Sequence, residues 1–253
     1  MKVCVAQIRI DDGKKEDNLK RVIQYIHKAS RIGCELVVFP ECVLGGFKDT
    51  PLIAEPLDGE FMNTLKMLSN ELDIAIAGTF AERDLDKIYD TAFFVYNNKI
   101  YTYRKRILFK PSGEDKIFGA GSKEPEVFEY KSRKIGMLIC YEVRFPELVL
   151  PMLSRGLELL ILPAAWMSPR RVSDREALIP ARAVESQSYV IAANRVGGKF
   201  FGRSIIAGPS GEVYKSGRNE GIYAIEIFKE RIEETRKKIP AVEERIKNSE
   251  QAL

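Results

Sequence analysis

The sequence predicts an α/β protein built from two related halves, and three observations carry that prediction. Short β-rich runs alternate with amphipathic helical stretches along the chain. The segments GCELVVFP (33–40) and GLELLILP (156–163) share one pattern and one place, after a helix and before a loop. The strand cores LVVF and LLIL are apolar throughout, which implies sheets buried on both faces. Two strand–helix–strand units packed sheet against sheet would put helices outside and strands inside.

Taken in order, KVCVAQI reads as a strand. Lys15 to Arg31 reads as a helix with Leu19, Val22, Ile23 and Ile26 on one face, stopped at Gly33. ELVVF is a second strand, Glu60 to Leu72 a second helix through Phe61, Leu65, Leu68 and Leu72, and IAIAGTF a third strand. TAFFVYN and KIYTYR flank Asn97 and Asn98, a turn pair that predicts an antiparallel hairpin. The second half repeats the order with KIGMLIC, a helix over Pro146 to Arg155, LELLILP, a helix over Ser173 to Gln187, and SYVIAAN. No linker divides the halves, so 1–253 is expected to be one domain. From Phe228 to Leu253 the chain reads as a charge-rich helical tail, either packed on a partner subunit or solvated.

Composition narrows the function classes. Hydrophobic residues make up 45% of the sequence and charged residues 30%, which allows a large core and argues against disorder. The net charge of +4 is a small excess of closely mixed charge, so nucleic acid is not an expected partner. The run Leu159 to Met167 contains Pro163 and falls far short of the roughly 20 residues that span a bilayer. Gln7 and Arg9 interrupt the first apolar stretch before a signal core could form, so the expected compartment is the cytoplasm and no membrane contact is expected.

There, Cys4, Cys34, Cys42 and Cys140, which form no CxxC pair, are expected to stay thiols. No Cys, His, Asp and Glu cluster has metal-ligand spacing, and neither GxxxxGK nor GxGxxG occurs. No metal or organic cofactor is therefore expected.

Three ionisable residues stand just beyond apolar strands, where α/β proteins assemble sites: Glu41 after LVVFP, Lys105 after IYTYR, and Cys140 after IGMLI. Each alone has an ordinary explanation as a solvated or core residue. Cys140 lies where a strand meets a turn, as a nucleophile on a strand-to-helix bend does. A thiol of pKa about 8.5 needs an activating neighbour at neutral pH. The only histidine, His27, falls on the charged side of its helix, which leaves a carboxylate as base and a lysine to stabilise thiolate and oxyanion.

These residues resemble the nitrilase superfamily, the carbon–nitrogen hydrolases, through FPE (39–41), YRK (103–105) and CYEVRFPE (140–147). LPAAW ending at Trp166, PARAVES (180–186), VIAANRVG (190–197) and GRSIIAGPSG (202–211) follow in family order and extend the likeness over nearly the whole chain. The resemblance implies an α-β-β-α sandwich with two pseudosymmetric halves, a Glu41–Lys105–Cys140 triad, Glu114 as an assisting fourth residue, and a homodimer or higher homo-oligomer. Ile107 and Ser186 stand where the family often has histidine and asparagine, which affects subgroup and substrate rather than the triad.

Tyr141 after the nucleophile is similar to the omega-amidase-like branch and favours amide over nitrile hydrolysis. The implied reaction releases ammonia and an acid from a small-molecule amide through a Cys140 thioester, with the Tyr141 N–H beside the oxyanion. An N-carbamoyl-amide hydrolase, a nitrilase, a redox-sensing thiol protein and a catalytically silent binding protein of the same fold are the alternatives. A carboxylate on the substrate would need a cation, for which Arg144, Arg170 and Arg171 are candidates, each equally a surface ion-pair residue. Trp166 is read as a pocket wall or a core residue, and Cys42 as packing.

Overall fold

The computed structural model describes residues 1–167 and 172–251. The first half runs β1 (Lys2–Gln7), α1 (Lys15–Arg31), β2 (Leu36–Val38), α2 (Thr50–Ile53), α3 (Glu60–Leu72), β3 (Ala75–Asp84), β4 (Lys87–Tyr96) and β5 (Lys99–Arg104). The second runs β6 (Val127–Tyr130), β7 (Arg133–Met137), α4 (Leu150–Leu153), β8 (Leu159–Ala164), α5 (Val172–Ser186), β9 (Tyr189–Asn194), the short pair β10 (Val196–Gly197) and β11 (Phe200–Phe201), β12 (Ile205–Ala207) and β13 (Val213–Lys215). β14 (Gly221–Glu226), α6 (Lys229–Lys238) and α7 (Ala241–Gln251) complete the chain.

The strands form two six-stranded sheets, ordered β14-β1-β2-β3-β4-β5 and β13-β12-β9-β8-β7-β6. Read from β14 and from β6, both show the same sequence of pairings: antiparallel, parallel, parallel, antiparallel, antiparallel. The GxELxxxP repeat supplies the third strand of each series, β2 and β8, so the internal likeness of the sequence is a likeness of topology.

Alternation along the strands sorts the core into layers. Val3, Val5, Leu36, Val38, Ala75 and Ala77 join Ile135, Leu160 and Ile191 of the other sheet in one hydrophobic cluster. Their neighbours Cys4, Ala6, Val37, Ile74 and Ile76 face Val22, Ile26 and Ala29 of α1 and Phe61 and Leu65 of α3. α1 has acidic Glu16 and Asp17 in its first turn and Lys28 and Arg31 in its last, complementing the helix dipole.

Several elements differ from the sequence reading. Pro146 to Arg155 is a three-ten turn over Pro146–Leu148 followed by the four residues of α4. Pro146 and Pro151 supply no backbone donors, and Pro151 disfavours helical backbone at Leu150. β3 and β4 are longer than expected and form a hairpin through Leu85 at φ 53°. β14 closes the edge of the first sheet against β1, from more than 200 residues away in sequence. The tail docks on its own chain: Ile232 and Val242 are buried, Gln187 donates to the Ile239 carbonyl (2.6 Å), and Arg236 donates to that of Leu157 (2.5 Å). Among the described residues no helix is long and apolar enough to cross a membrane.

The expectation of four thiols is corrected: Cys4 and Cys34 form a disulfide, while Cys42 and Cys140 are free. The α1 crossover returns the chain beside β1, with Cys4 opposite Val37 in the parallel register, and so brings Cys34 within reach. Closing a loop of 30 residues restricts the unfolded chain. We expect the Cys4→Ala/Cys34→Ala variant to lose about 3 kcal/mol of stability in denaturant titrations, and a change under about 1 kcal/mol would show that the bridge contributes little.

Candidate active site

The site lies where strand ends of both sheets converge. Glu41 follows β2, and its N–H donates to the Ala164 carbonyl at the end of β8 (3.3 Å), so the two equivalent central strands meet across the sandwich. Lys105 follows β5 and is fixed through its backbone, donating to Asp90 O (2.9 Å) and accepting from Gly121 N (2.8 Å). Cys140 opens the three-ten turn Cys140–Arg144 beyond β7 with φ 47°, a left-handed conformation costly for a side chain with a Cβ. That bend turns the thiol out of the strand and toward the other groups.

The side chains form one buried cluster. Lys105 Nζ lies 2.7 Å from Glu41 Oε1, 2.9 Å from Glu114 Oε2 and 3.6 Å from Asp90 Oδ2. Lys105 and Glu41 are 0 and 1% exposed, so water screens little of this. Glu114 is held by the Phe109 N–H, which donates to its Oε2 (2.8 Å). The Cys140 sulfur feels Glu41, Lys105 and Glu114 and receives the Ala165 N–H. Glu41, Lys105, Cys140 and Glu114, separated by up to 99 residues in sequence, are thus brought together.

One ammonium cannot balance three ionised carboxylates in a buried site, and the proton affinities reflect it. Burial, helped by Asp90 and opposed by Lys105, pushes Glu41 up to about 7. Glu41 and Asp90 act on each other directly, and Asp90 raises Glu41. Burial also raises Asp90 and Glu114. Burial alone would lower Lys105, but Glu41 and Asp90 outweigh it and hold it as an ammonium. Burial first and Glu41 second push the Cys140 thiol well up, against the pull of Lys105, so the resting sulfur is a thiol.

The remaining candidates lie around this cluster. The Tyr141 ring packs against Phe109 and Phe145, with centroids 4.9 and 5.3 Å away. Arg144 pairs with Asp174 (3.6 Å) and lies over the Tyr141 ring. The Trp166 N–H of the backbone donates to Asn194 Oδ1 (2.8 Å), while its indole Nε1 is buried without a partner. Ile107 packs against the main core, and the Ser186 hydroxyl donates to Arg182 O (2.6 Å). Arg170 and Arg171 lie outside the described residues. His27 is on α1, in the outer helical layer, and Cys42 is buried beside Asp90 and Thr79.

Four functional neighbours escaped the sequence reading. Asp90 is one, and its signal was a lone acid in the apolar run IYDTAFFV. Glu142 is a second: its carboxylate accepts from Tyr103 OH (2.8 Å), Arg106 N (2.8 Å), Ile107 N (3.2 Å) and Ile139 N (2.9 Å), tying the Lys105 segment to the Cys140 turn. Arg195 is a third, fully buried, donating to the carbonyls of Glu41 (2.6 Å), Cys42 (2.5 Å) and Gly45 (2.7 Å) and so holding the Glu41 loop. Arg175 is the fourth, on the first turns of α5 beside Trp166.

Comparison with known proteins agrees with this architecture. Residues 2–237 match the family model described as carbon-nitrogen hydrolase. The chain is 32% identical over 252 residues to the 2-oxoglutaramate amidase of Bacillus subtilis (strain 168), covering 96% of each chain. It is 32% identical over 243 residues to the omega-amidase of Homo sapiens, covering 89% of this chain and 88% of that one. Among solved structures, XC1258 from Xanthomonas campestris, a CN-hydrolase superfamily protein, superposes with a TM-score of 0.90 at 23% identity over 96% of each chain, which shows the fold.

Removing the Glu142 carboxylate would strand four donors, of which the buried Tyr103 hydroxyl and Ile139 N–H each cost about 1–3 kcal/mol when left unmade. We expect Glu142→Ala to lower stability by about 3 kcal/mol or more in denaturant unfolding. A loss below about 1 kcal/mol would mean that water or a rearranged loop replaces the carboxylate.

Proposed function

The chain belongs to the carbon–nitrogen hydrolase family, and on that premise we propose that it hydrolyses a short amide to an acid and ammonia, with Cys140 as nucleophile. The observation that carries the reading is the buried contact of Lys105 with Glu41 and Glu114 beside a thiol on a left-handed bend. The relative named for 2-oxoglutaramate acts on an amide that also bears a carboxylate, and this supports a small amide with a remote carboxylate as the substrate class here.

In the acylation step the Cys140 sulfur bonds to the amide carbon while its proton passes to Glu41. Lys105 and the N–H of Tyr141 hold the oxyanion that forms. Glu41 then gives the proton to the departing nitrogen, the C–N bond breaks, and ammonia leaves a Cys140 thioester. In deacylation, water bonds to the thioester carbon as Glu41 takes its proton. Collapse of that intermediate breaks the C–S bond, and Glu41 returns the proton to sulfur. Glu114, a second carboxylate on Lys105, keeps the ammonium in place through both steps. Asp90 acts through Glu41 by raising its proton affinity. Of the finer readings, a cytoplasmic setting and a homodimeric assembly complete the proposal.

Glu41 works as a base only when deprotonated, and its proton affinity is pushed up to about 7. The kcat/KM of ammonia release should therefore fall about tenfold per pH unit below that value. Asp90→Asn removes a charge that raises Glu41 and should move the acid limb to lower pH; an unmoved limb would separate Asp90 from the base. Cys140→Ala should abolish ammonia release from a panel of small amides, carbamoyl compounds and nitriles, and a thioester adduct should be visible by intact mass on the native protein. Turnover surviving Cys140→Ala would refute the mechanism, and no turnover with no adduct would favour a binding protein.

A further inference from the structure

Among the described residues, Arg175 is the guanidinium near the site whose bonding is left open on a whole edge. It is 1% exposed. Its Nη1 donates to Gly202 O (3.2 Å), whereas Nε and Nη2 have no partner among the described residues. Nε and Nη2 share one edge of the planar guanidinium, the edge that takes both oxygens of a carboxylate in parallel. Among the described residues no carboxylate lies within ion-pair distance of it: the adjacent Glu176 is turned to Lys215 (2.8 Å) and Arg203 (3.6 Å). The neighbouring Trp166 Nε1 is a third buried donor with no acceptor.

The guanidinium is packed between aromatic rings close to the nucleophile. The Arg175 guanidinium carbon is 4.3 Å from the Phe201 ring centroid and 5.6 Å from that of Trp166, so aromatic faces hold the plane. Trp166 follows Ala165, whose N–H points at the Cys140 sulfur, and the Cys140 and Arg175 charges interact. Burial lowers the Arg175 proton affinity to about 10, which leaves it a cation at neutral pH. Two other arginines near the site have their own partners. Arg144 pairs with Asp174, and Arg195 is bound to three carbonyls. A buried cation with an empty fork is a costly arrangement unless a ligand completes it.

We propose that Arg175, through Nε and Nη2 and with the Trp166 indole N–H beside them, is the receptor for the remote carboxylate of the substrate and sets the preference for acidic over neutral amides. The inference rests on the amide-hydrolysis reading for the identity of the bond broken, but the carboxylate contact is a binding event that does not require turnover. Arg175 replaces Arg144 as the anchoring cation. The carboxylate end of the ligand would lie against the start of α5, and its amide end at Cys140.

The test pairs glutaramate with pentanamide, which has a methyl group in place of the carboxylate. Binding is measured by calorimetry on the Cys140→Ala protein, and ammonia release on the protein with Cys140 intact, each with and without Arg175→Gln. Glutaramate should bind more tightly than pentanamide, and the ratio between them should shrink about 10- to 100-fold in Arg175→Gln, in line with loss of a charge-assisted pair. Arg175→Lys should recover part of the ratio. An unchanged ratio, with both amides weakened alike, would make Arg175 structural and overturn the proposal. If Arg175→Gln does not fold, the native ratio decides: no preference for glutaramate overturns it. Absence of ammonia from both amides would refute the hydrolase reading, while the calorimetric ratio would still decide the role of Arg175.

Discussion

One lysine organises the interior of this protein. The Lys105 ammonium is fully buried and touches Glu41, Asp90 and Glu114, so three separate chain segments meet on one charge. Removing one partner from such a group leaves a buried charge exposed to a low dielectric, at a cost of about 3–5 kcal/mol. The strand ends that carry Glu41 and Lys105, the hairpin that carries Asp90 and the turn that carries Glu114 are coupled through this charge. Burial first and Glu41 second keep the thiol of Cys140 protonated at rest, against the pull of Lys105.

Around the charge cluster the fold supplies fixed donors and acceptors rather than flexible ones. Glu142 joins the Lys105 segment to the Cys140 turn, Arg195 clamps the carbonyls of the Glu41 loop, and Arg182 donates to Val143 O (2.9 Å), tying α5 to the nucleophile turn. Each is a buried polar group bonded to backbone on another segment, which makes the alternative arrangements expensive. Arg175 departs from this pattern. Two adjacent donors on one edge of it lack a partner among the described residues, and a ligand with two acceptor oxygens is what that edge fits.

Much of the molecule was legible in one dimension. The apolar periodicities located α1 and α3 to the residue, and the Asn97–Asn98 pair located a hairpin whose turn residues have φ 50° and 63°, as a type I′ turn requires. The GxELxxxP repeat anticipated two sheets of matching strand order. The strands between Val196 and Lys215 were not legible, because β10 to β13 are two or three residues long and carry too few positions to show a period. The Pro146 segment was misread because apolar content was weighed above two missing backbone donors.

The sequence by itself determined the two-layered α/β plan and the residue types available for the chemistry, since burial patterns and strand-end positions are local properties of the chain. Only the tertiary structure decided that Asp90 presses on Glu41, that Cys4 meets Cys34, that β14 completes the first sheet, and that Arg175 rather than Arg144 is left without an acidic partner. Those facts depend on strand order and register. The register decides which distant side chains share a low-dielectric space, and with it which charges are compensated and which are left open for a ligand.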